Sequence, residues 1–258
     1  MMAKRLSSLL IAIIILVNCS SESTTSPESV QPGVLTISIT DSYADISSLI
    51  VNISEIAIHK DSEWIVIDSL DHSVDLLQYN SGNVFELFSD HLESGHYNQI
   101  RLMIEQSEIT YKDETYPVTI PSSWQTGLKL VNAFDISEGV ETSLVLDFDV
   151  SRAVHITGPP GNLQFVMRPT IRVIEEDETG RIRGEVTNLD TTAVAYAFSA
   201  GDTVATSPVK QTGIFILAFL PEGTYSVLVE DANGLKYENE SVIVENRKTT
   251  NLGEITIQ

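Results

Sequence analysis

Two aspartates placed two residues apart could supply oxygen ligands to a metal ion. Asp147 and Asp149 lie in the alternating segment of residues 144–150. Because side chains two apart on a strand point to one face, both carboxylates are expected on the same side of it. With Asp41 they form a candidate site for calcium, a cation that takes six or more oxygen ligands. We expect no cofactor, with calcium as the alternative.

Ion pairing offers a second interpretation of the same carboxylates. Arg101, Arg168 and Arg172 stand between apolar neighbours in strand-like segments, where an arginine can face an acidic side chain of an adjacent strand. We favour these ion pairs over calcium, because strand geometry places only two carboxylates together.

The remaining polar residues form no recognisable catalytic motif. Of the five histidines only His91 and His96 lie close together, across Gly95, and no spacing matches a helical zinc motif. The chain contains neither a Gly-x-Ser-x-Gly elbow nor a phosphate-binding glycine-rich loop. Acidic residues are so abundant that paired carboxylates have no diagnostic value. We therefore expect no enzyme, with a polysaccharide hydrolase that uses paired carboxylates as an alternative.

Four aromatic residues could line a glycan-binding platform. They are Trp64, Tyr97, Tyr111 and Trp124. Large aromatic side chains more often pack in a core or at a sheet edge, which is the expectation that we favour.

The single cysteine, Cys19, ends a segment typical of exported proteins. Lys4 and Arg5 precede the apolar residues 9–17, which are too few for the ~20 residues of a bilayer span. Residues 16–19, Leu-Val-Asn-Cys, resemble the lipobox of bacterial lipoproteins, with Asn18 where the pattern prefers Gly, Ala or Ser. The resemblance implies a signal peptide at 1–18, lipidation of Cys19 and a membrane anchor.

The residues after Cys19 indicate the setting of the chain. Residues 19–32 are rich in Ser, Thr and Pro and are expected to form a flexible polar tether. Ser20 stands where Asp would retain a Gram-negative lipoprotein in the inner membrane, which implies the outer membrane. The net charge of −21 opposes binding to nucleic acid. The expected location is the cell envelope, with attachment through the lipid.

Period-two alternation of apolar and polar residues predicts an all-β fold. It runs through residues 34–39, 100–104 and 144–150, and it is typical of strands with one face on a core. Residues 73–90 could hold a helical turn. Turn-forming residues recur between the strands, as in β-sandwiches.

The acidic run at residues 175–178 is expected to be a solvated linker between two β-sandwich domains. The domains would then span residues 33–178 and 179–258. The first holds 24 acidic and 7 basic residues and the second 10 and 6, so the acidity is concentrated in the first.

The second segment resembles the carboxypeptidase regulatory-like domain. The resemblance rests on Gly184-Glu185-Val186, on Gly213-Ile214-Phe215 and on residues 220–227, Leu-Pro-Glu-Gly-Thr-Tyr-Ser-Val. It implies a seven-stranded prealbumin-like (transthyretin-like) sandwich with an accessory role. In physical terms, Pro221 and Gly223 form a tight turn, and Tyr225 packs its ring while its hydroxyl caps a loop.

The first segment resembles the lipoprotein domain-of-unknown-function family 4382. The resemblance rests on residues 33–41, 92–102, 127–130, 146–149 and 167–173. It implies export and architecture, and it carries no established activity.

These features lead to one principal hypothesis of function. We expect a non-enzymatic lipoprotein of the cell envelope that binds a protein or glycan partner or serves as a structural module. The alternatives are the hydrolase with paired carboxylates and a calcium-dependent adhesion module.

Overall fold

The computed structural model describes residues 31–41, 46–121, 126–159 and 161–258. The prediction of an all-β fold is confirmed, because strands dominate and the helical segments among these residues are single turns. One α-helical turn, α1, spans Val150–Ala153, and 3-10 turns span Leu76–Gln78 and Glu176–Glu178. The turn at Leu76–Gln78 falls within the predicted helical segment 73–90. Among the described residues, no helix is long and apolar enough to span a membrane.

Two hydrophobic clusters that share no residue divide the chain into a first and a second unit. The first cluster extends from Leu35 to Met167 and the second from Ile182 to Ile257. The predicted domain boundary at residues 178 and 179 lies between them.

The first unit contains twelve strands in two sheets. They are β1 (Pro32–Asp41), β2 (Ser48–Lys60), β3 (Glu63–Asp68), β4 (His72–Asp75), β5 (Phe85–Glu93), β6 (Gly95–Tyr111), β7 (Glu114–Thr119), β8 (Leu128–Ile136), β9 (Glu141–Phe148), β10 (Val154–Thr157), β11 (Gln164–Met167) and β12 (Ile171–Glu175). One sheet has the order β12-β9-β1-β5, and the other β10-β11-β7-β6-β2-β3, with β4 beside β2 and β8 beside β6.

The second unit contains seven strands, also in two sheets. They are β13 (Thr179–Val186), β14 (Ala193–Ser199), β15 (Asp202–Pro208), β16 (Ile214–Pro221), β17 (Gly223–Asp231), β18 (Lys236–Val244) and β19 (Thr249–Ile255). The sheets have the orders β16-β13-β19 and β15-β14-β17-β18. Seven is the number of strands that the resemblance to the carboxypeptidase regulatory-like domain implies, while the prealbumin-like fold and the kinship with that family stay predictions.

The two units share one strand topology. In the first, β1 lies between antiparallel β5 and parallel β9; in the second, β13 lies between antiparallel β16 and parallel β19. In the opposite sheets, β2 pairs with β3 and β6, and β14 pairs with β15 and β17. Finally, β8 pairs with β6 in the first unit, and β18 pairs with β17 in the second. The first unit is therefore the seven-strand pattern of the second with five additional strands.

Both units also pass from one sheet to the other through the same corner. β5 leads into β6 at Gly95, and β16 leads into β17 at Gly223. The hydroxyl of Tyr97 donates to the carbonyl of Glu93 at 2.7 Å, and that of Tyr225 donates to the carbonyl of Pro221 at 2.7 Å. The loop-capping role predicted for Tyr225 is thus present, and the first unit repeats it.

A close backbone approach at the second residue of the first strand is a further shared feature. A Cβ atom on Gly33 would lie 2.3 Å from the carbonyl oxygen of Ser137, and one on Gly180 would lie 2.3 Å from that of Glu245. In each unit, this oxygen belongs to the turn that joins the last two strands of the shared pattern. A side chain at either glycine would push that turn away from the sheet.

We expect Gly33→Ala and Gly180→Ala each to lower the free energy of unfolding by about 1–3 kcal/mol, the usual cost of forcing atoms into a packed site. Gly223→Ala is the matched control, because its Cβ would meet Tyr225 at an ordinary 3.6 Å. Urea denaturation measures the difference. A control as destabilised as the other two variants would show that the close approach is no constraint.

Candidate functional site

Two of the predicted aspartates meet where the second unit contacts the first. Asp41 ends β1, Asp147 lies near the end of the parallel neighbour β9, and both are buried, with 4% and 5% exposure. They line a cavity of about 20 Å³ that is closed by Ala205 and Thr206 of the second unit. This volume has room for about one water molecule.

Arg172 provides the positive charge at this contact. Its Nε lies 3.0 Å from Oδ2 of Asp147, and its Nη2 donates both to that oxygen and, at 3.0 Å, to the carbonyl of Val204 in β15. A second link joins the hydroxyls of Ser81 and Ser207 at 2.8 Å. Arg172 therefore links β12 to β9 through the ion pair with Asp147. The same guanidinium also links both strands to the second unit through the carbonyl of Val204.

The structure corrects the predicted position of Asp149. β9 ends at Phe148, and Asp149 caps α1 instead, with its carboxylate accepting a hydrogen bond from the backbone N–H of Arg152 at 3.2 Å. Asp149 therefore does not share a strand face with Asp147, because capping turns the chain after the strand. The expected one-sided burial of this strand is also wrong, since residues 144–148 are all buried.

The calcium site stays a prediction, and the positions of the three aspartates give it little support. In the described part of the chain, no three acidic, histidine or cysteine side chains are grouped so that they could hold a metal ion. Asp41 accepts from the backbone N–H of Val150 at 3.1 Å, and the guanidinium of Arg172 lies beside Asp147 where a cation would bind.

The other two candidate arginines lie elsewhere. Arg101 forms an ion pair with Glu55 at 2.9 Å on the outer face of the sheet that contains β2 and β6. Arg168 is exposed, and within the described residues its side chain has no ion-pair partner. Cys19 and Trp124 lie outside the described residues.

An aromatic side chain on that outer face is surrounded by cationic groups. The ring of Trp64 in β3 lies 4.7 Å from Cζ of Arg101 and 5.5 Å from Nζ of Lys129, and the ring of His59 lies 5.0 Å away. Val66 and Val131, on the same side of the sheet, are 49% and 82% exposed. We call these residues the Trp64 face.

The other two aromatic candidates within the described residues, Tyr97 and Tyr111, do not join this face. Tyr97 is buried and stacks on Phe134 at 5.4 Å, and Tyr111 packs against Phe165. The expectation of packing in a core or at a sheet edge thus describes the two tyrosines, which pack in the core, and also Trp64, which is partly buried on the edge strand β3.

A second cavity, of about 200 Å³, lies where β12 leads into β13, and we call it the junction cleft. Its lining residues are Glu176, Asp177, Thr179, Gly180, Arg181, Phe219, Arg247 and Lys248. The acidic run, which was expected to be a solvated linker, is exposed at residues 176–178 and forms a 3-10 turn, in which the hydroxyl of Thr179 donates to the carbonyl of Glu176 at 2.8 Å. The turn supplies one wall of the cleft.

Phe219 is strained where it lines the junction cleft. Its φ of +55° lies in the left-handed region, which a bulky side chain rarely adopts. The cause is a bulge in β16, since Gly180 pairs with Leu220 but Ile182 pairs with Leu217. The bulge buries the Phe219 ring, which lines the junction cleft and also the small cavity beside Arg172.

The residues of the junction cleft are far apart in the chain, so no local pattern in the sequence predicts it. Arg181 lies beside Lys248 through the parallel pairing of β13 and β19, and Arg247 forms an ion pair with Asp177 at 2.6 Å. The one signal in the sequence was the smaller acidic excess of the second segment.

Glu175, His91 and His96 lie outside the lining of both cavities. Burial, together with the charges of Glu178, Asp135 and Asp177, raises the pKa of Glu175, but Glu175 lines neither cavity. His91 and His96 are exposed and lie beside Asp90 and Asp135 respectively.

Comparison with known proteins identifies a family for the first unit. Residues 32–169 match the family model described as "Domain of unknown function (DUF4382)". No curated protein matches the chain.

Several solved structures are similar at low scores. The Bacillus anthracis TIE protein is 15% identical, with 88% of this chain and 34% of that protein covered and a TM-score of 0.25. A Bacteroides ovatus fimbrial protein is 7% identical, with 88% and 50% covered and a TM-score of 0.24. The major pilin subunit of Bacillus cereus is 10% identical, with 88% and 99% covered and a TM-score of 0.21. The chain spans about a third or less of the first two structures that it matches, and scores this low say nothing about function.

We expect Arg172→Ala to lower the free energy of unfolding by about 2–3 kcal/mol, because it removes a charged hydrogen bond from a buried carboxylate. Arg152→Ala, which breaks the more exposed pair with Asp149, should cost less than about 1 kcal/mol. Urea denaturation measures both, and adding Asp147→Asn to Arg172→Ala should restore part of the loss. Equal losses for the two arginine variants would contradict the assignment.

Proposed function

The chain belongs to the DUF4382 family, whose model covers more than half of it, and we propose that it is a lipid-anchored, non-enzymatic binding protein of the bacterial cell envelope. The observation that carries the proposal is the Trp64 face. The family description assigns no activity, so the argument rests on the residues of this chain.

Membrane attachment is supported by the order of segments. The basic residues, the short apolar stretch and Cys19 precede a polar stretch, and β1 begins at Pro32. A flexible polar tether formed by the twelve residues 20–31, as the sequence predicts, would have an r.m.s. span of about 20 Å, which is enough to hold the first unit clear of the lipid headgroups. The outer membrane of a Gram-negative bacterium is the proposed location.

The Trp64 face has the composition of a protein-binding surface. Tryptophan and arginine are the residues that most often dominate the binding energy of protein interfaces, and here Trp64 and Arg101 lie together beside the exposed Val66 and Val131. A glycan platform would need a row of exposed aromatic rings, but Tyr97 and Tyr111 pack inward. A protein partner is therefore favoured over a glycan.

The junction cleft also supports a function without catalysis. Of its two acidic residues, Glu176 and Asp177, the second is ion-paired with Arg247, so the cleft does not present two unpaired carboxylates to a substrate. The hydrolase alternative would require such a pair.

We expect Cys19→Ser to move the protein from the membrane fraction to the soluble fraction, because the thiol is the proposed site of acylation and acyl chains supply the membrane affinity. Ser21→Ala, next to the anchor, should remain in the membrane fraction. Fractionation and immunoblotting of cells that express each variant measure this. Recovery of Cys19→Ser from membranes at the level of the parent protein would refute the anchor.

We expect Trp64→Ala to lower the affinity for the envelope protein that the parent captures by at least tenfold. Ile243→Ala is the matched control, since Ile243 is 61% exposed on β18 of the second unit. Full-length protein in detergent, cross-linked in envelope extract and quantified by mass spectrometry, provides the readout. Equal capture by the two variants, or binding only to envelope polysaccharide, would contradict the assignment.

A further inference from the structure

The junction cleft has two walls of opposite charge. The second unit contributes Arg181, Arg247 and Lys248, and the 3-10 turn contributes Glu176 and Asp177. The lining thus combines three cationic and two acidic side chains, all exposed, in a chain of net charge −21 in which cations are scarce.

One charged pair already bridges the walls, and two charges remain available. Arg247 and Asp177 are 2.6 Å apart, and Lys248 pairs with Glu245 outside the lining. Within the described residues, the side chains of Arg181 and Glu176 have no ion-pair partner. The cleft therefore offers one unpaired cation and one unpaired anion.

The size and the strain of the cleft also point to a small ligand. Its volume of about 200 Å³ is below the roughly 300–1,000 Å³ of pockets for drug-sized molecules. The ring of Phe219 adds an apolar surface, which is held there by a left-handed backbone conformation. Backbone strain of this kind recurs at ligand sites, where the surrounding structure compensates for its cost.

We propose that the junction cleft binds a small zwitterion, with its carboxylate on Arg181 and its ammonium group on Glu176. A free amino acid and the end of a short peptide share this chemistry. Opposite charges on opposite walls select such a ligand over a simple anion or cation, because each simple ion satisfies one wall and is repelled by the other. The site is separate from the Trp64 face and does not depend on the function proposed there.

Isothermal titration calorimetry of the full-length protein in detergent tests the proposal with four probes. Glycylglycine carries both charges, acetate carries only the carboxylate, and ethylammonium carries only the cation. We expect glycylglycine to bind at least tenfold more tightly than either half-probe. Alanine as a fourth probe distinguishes a free amino acid from a peptide end.

Variants separate the cleft from other sites. Arg181→Ala and Glu176→Gln should each weaken glycylglycine binding about tenfold or more. Arg183→Ala and Glu178→Gln, which alter the same strand and the same turn outside the lining, should leave it unchanged. Thermal unfolding of all four variants checks that they fold.

Two results would overturn the proposal. Absence of heat with glycylglycine and with alanine at millimolar concentrations would exclude the zwitterion site. Acetate binding as tight as glycylglycine binding, and insensitive to Glu176→Gln, would show a simple anion site instead.

Discussion

The placement of one central strand sets the architecture of each unit. β1 and β13 are each enclosed between an antiparallel and a parallel neighbour, so both of their backbone edges are satisfied within the sheet. At Gly33 and at Gly180, a carbonyl oxygen of a turn lies 2.3 Å from the position that a Cβ atom would take, which leaves no room for a side chain. The tyrosine corners, the facing sheets and the turn between the last two strands are all arranged around these two strands.

The chemistry of the molecule is concentrated at the ends of the same strands. Asp41 and Asp147 lie where parallel β1 and β9 end, and there Arg172 reaches the second unit. The junction cleft lies at the opposite end of the pattern, where β13 begins beside the turn before β19. Parallel pairing brings residues distant in the chain to one edge, and this explains why both sites combine separate segments.

Alternation of residue types was enough to predict the strands and the all-β class, because one buried face imposes a period of two. It failed at residues 144–148, which are all buried, and there Asp147 lines a cavity together with residues of the second unit. Asp149 was misplaced because the cap of a four-residue helix has little signature in the sequence. The junction cleft could not be predicted, since it depends on a bulge at Phe219 and on a parallel register that no local pattern encodes.

The parallel pairing of first and late strands has a consequence for how the protein is made. β1 cannot pair with β9 until β9 has been synthesised, and β13 cannot pair with β19 until β19, the last of the strands described, has been synthesised. Contacts between such distant segments form slowly, because a long loop must close before they are made. The sheet that contains β1 and the sheet that contains β13 therefore each stay incomplete while their own unit is still emerging from the ribosome.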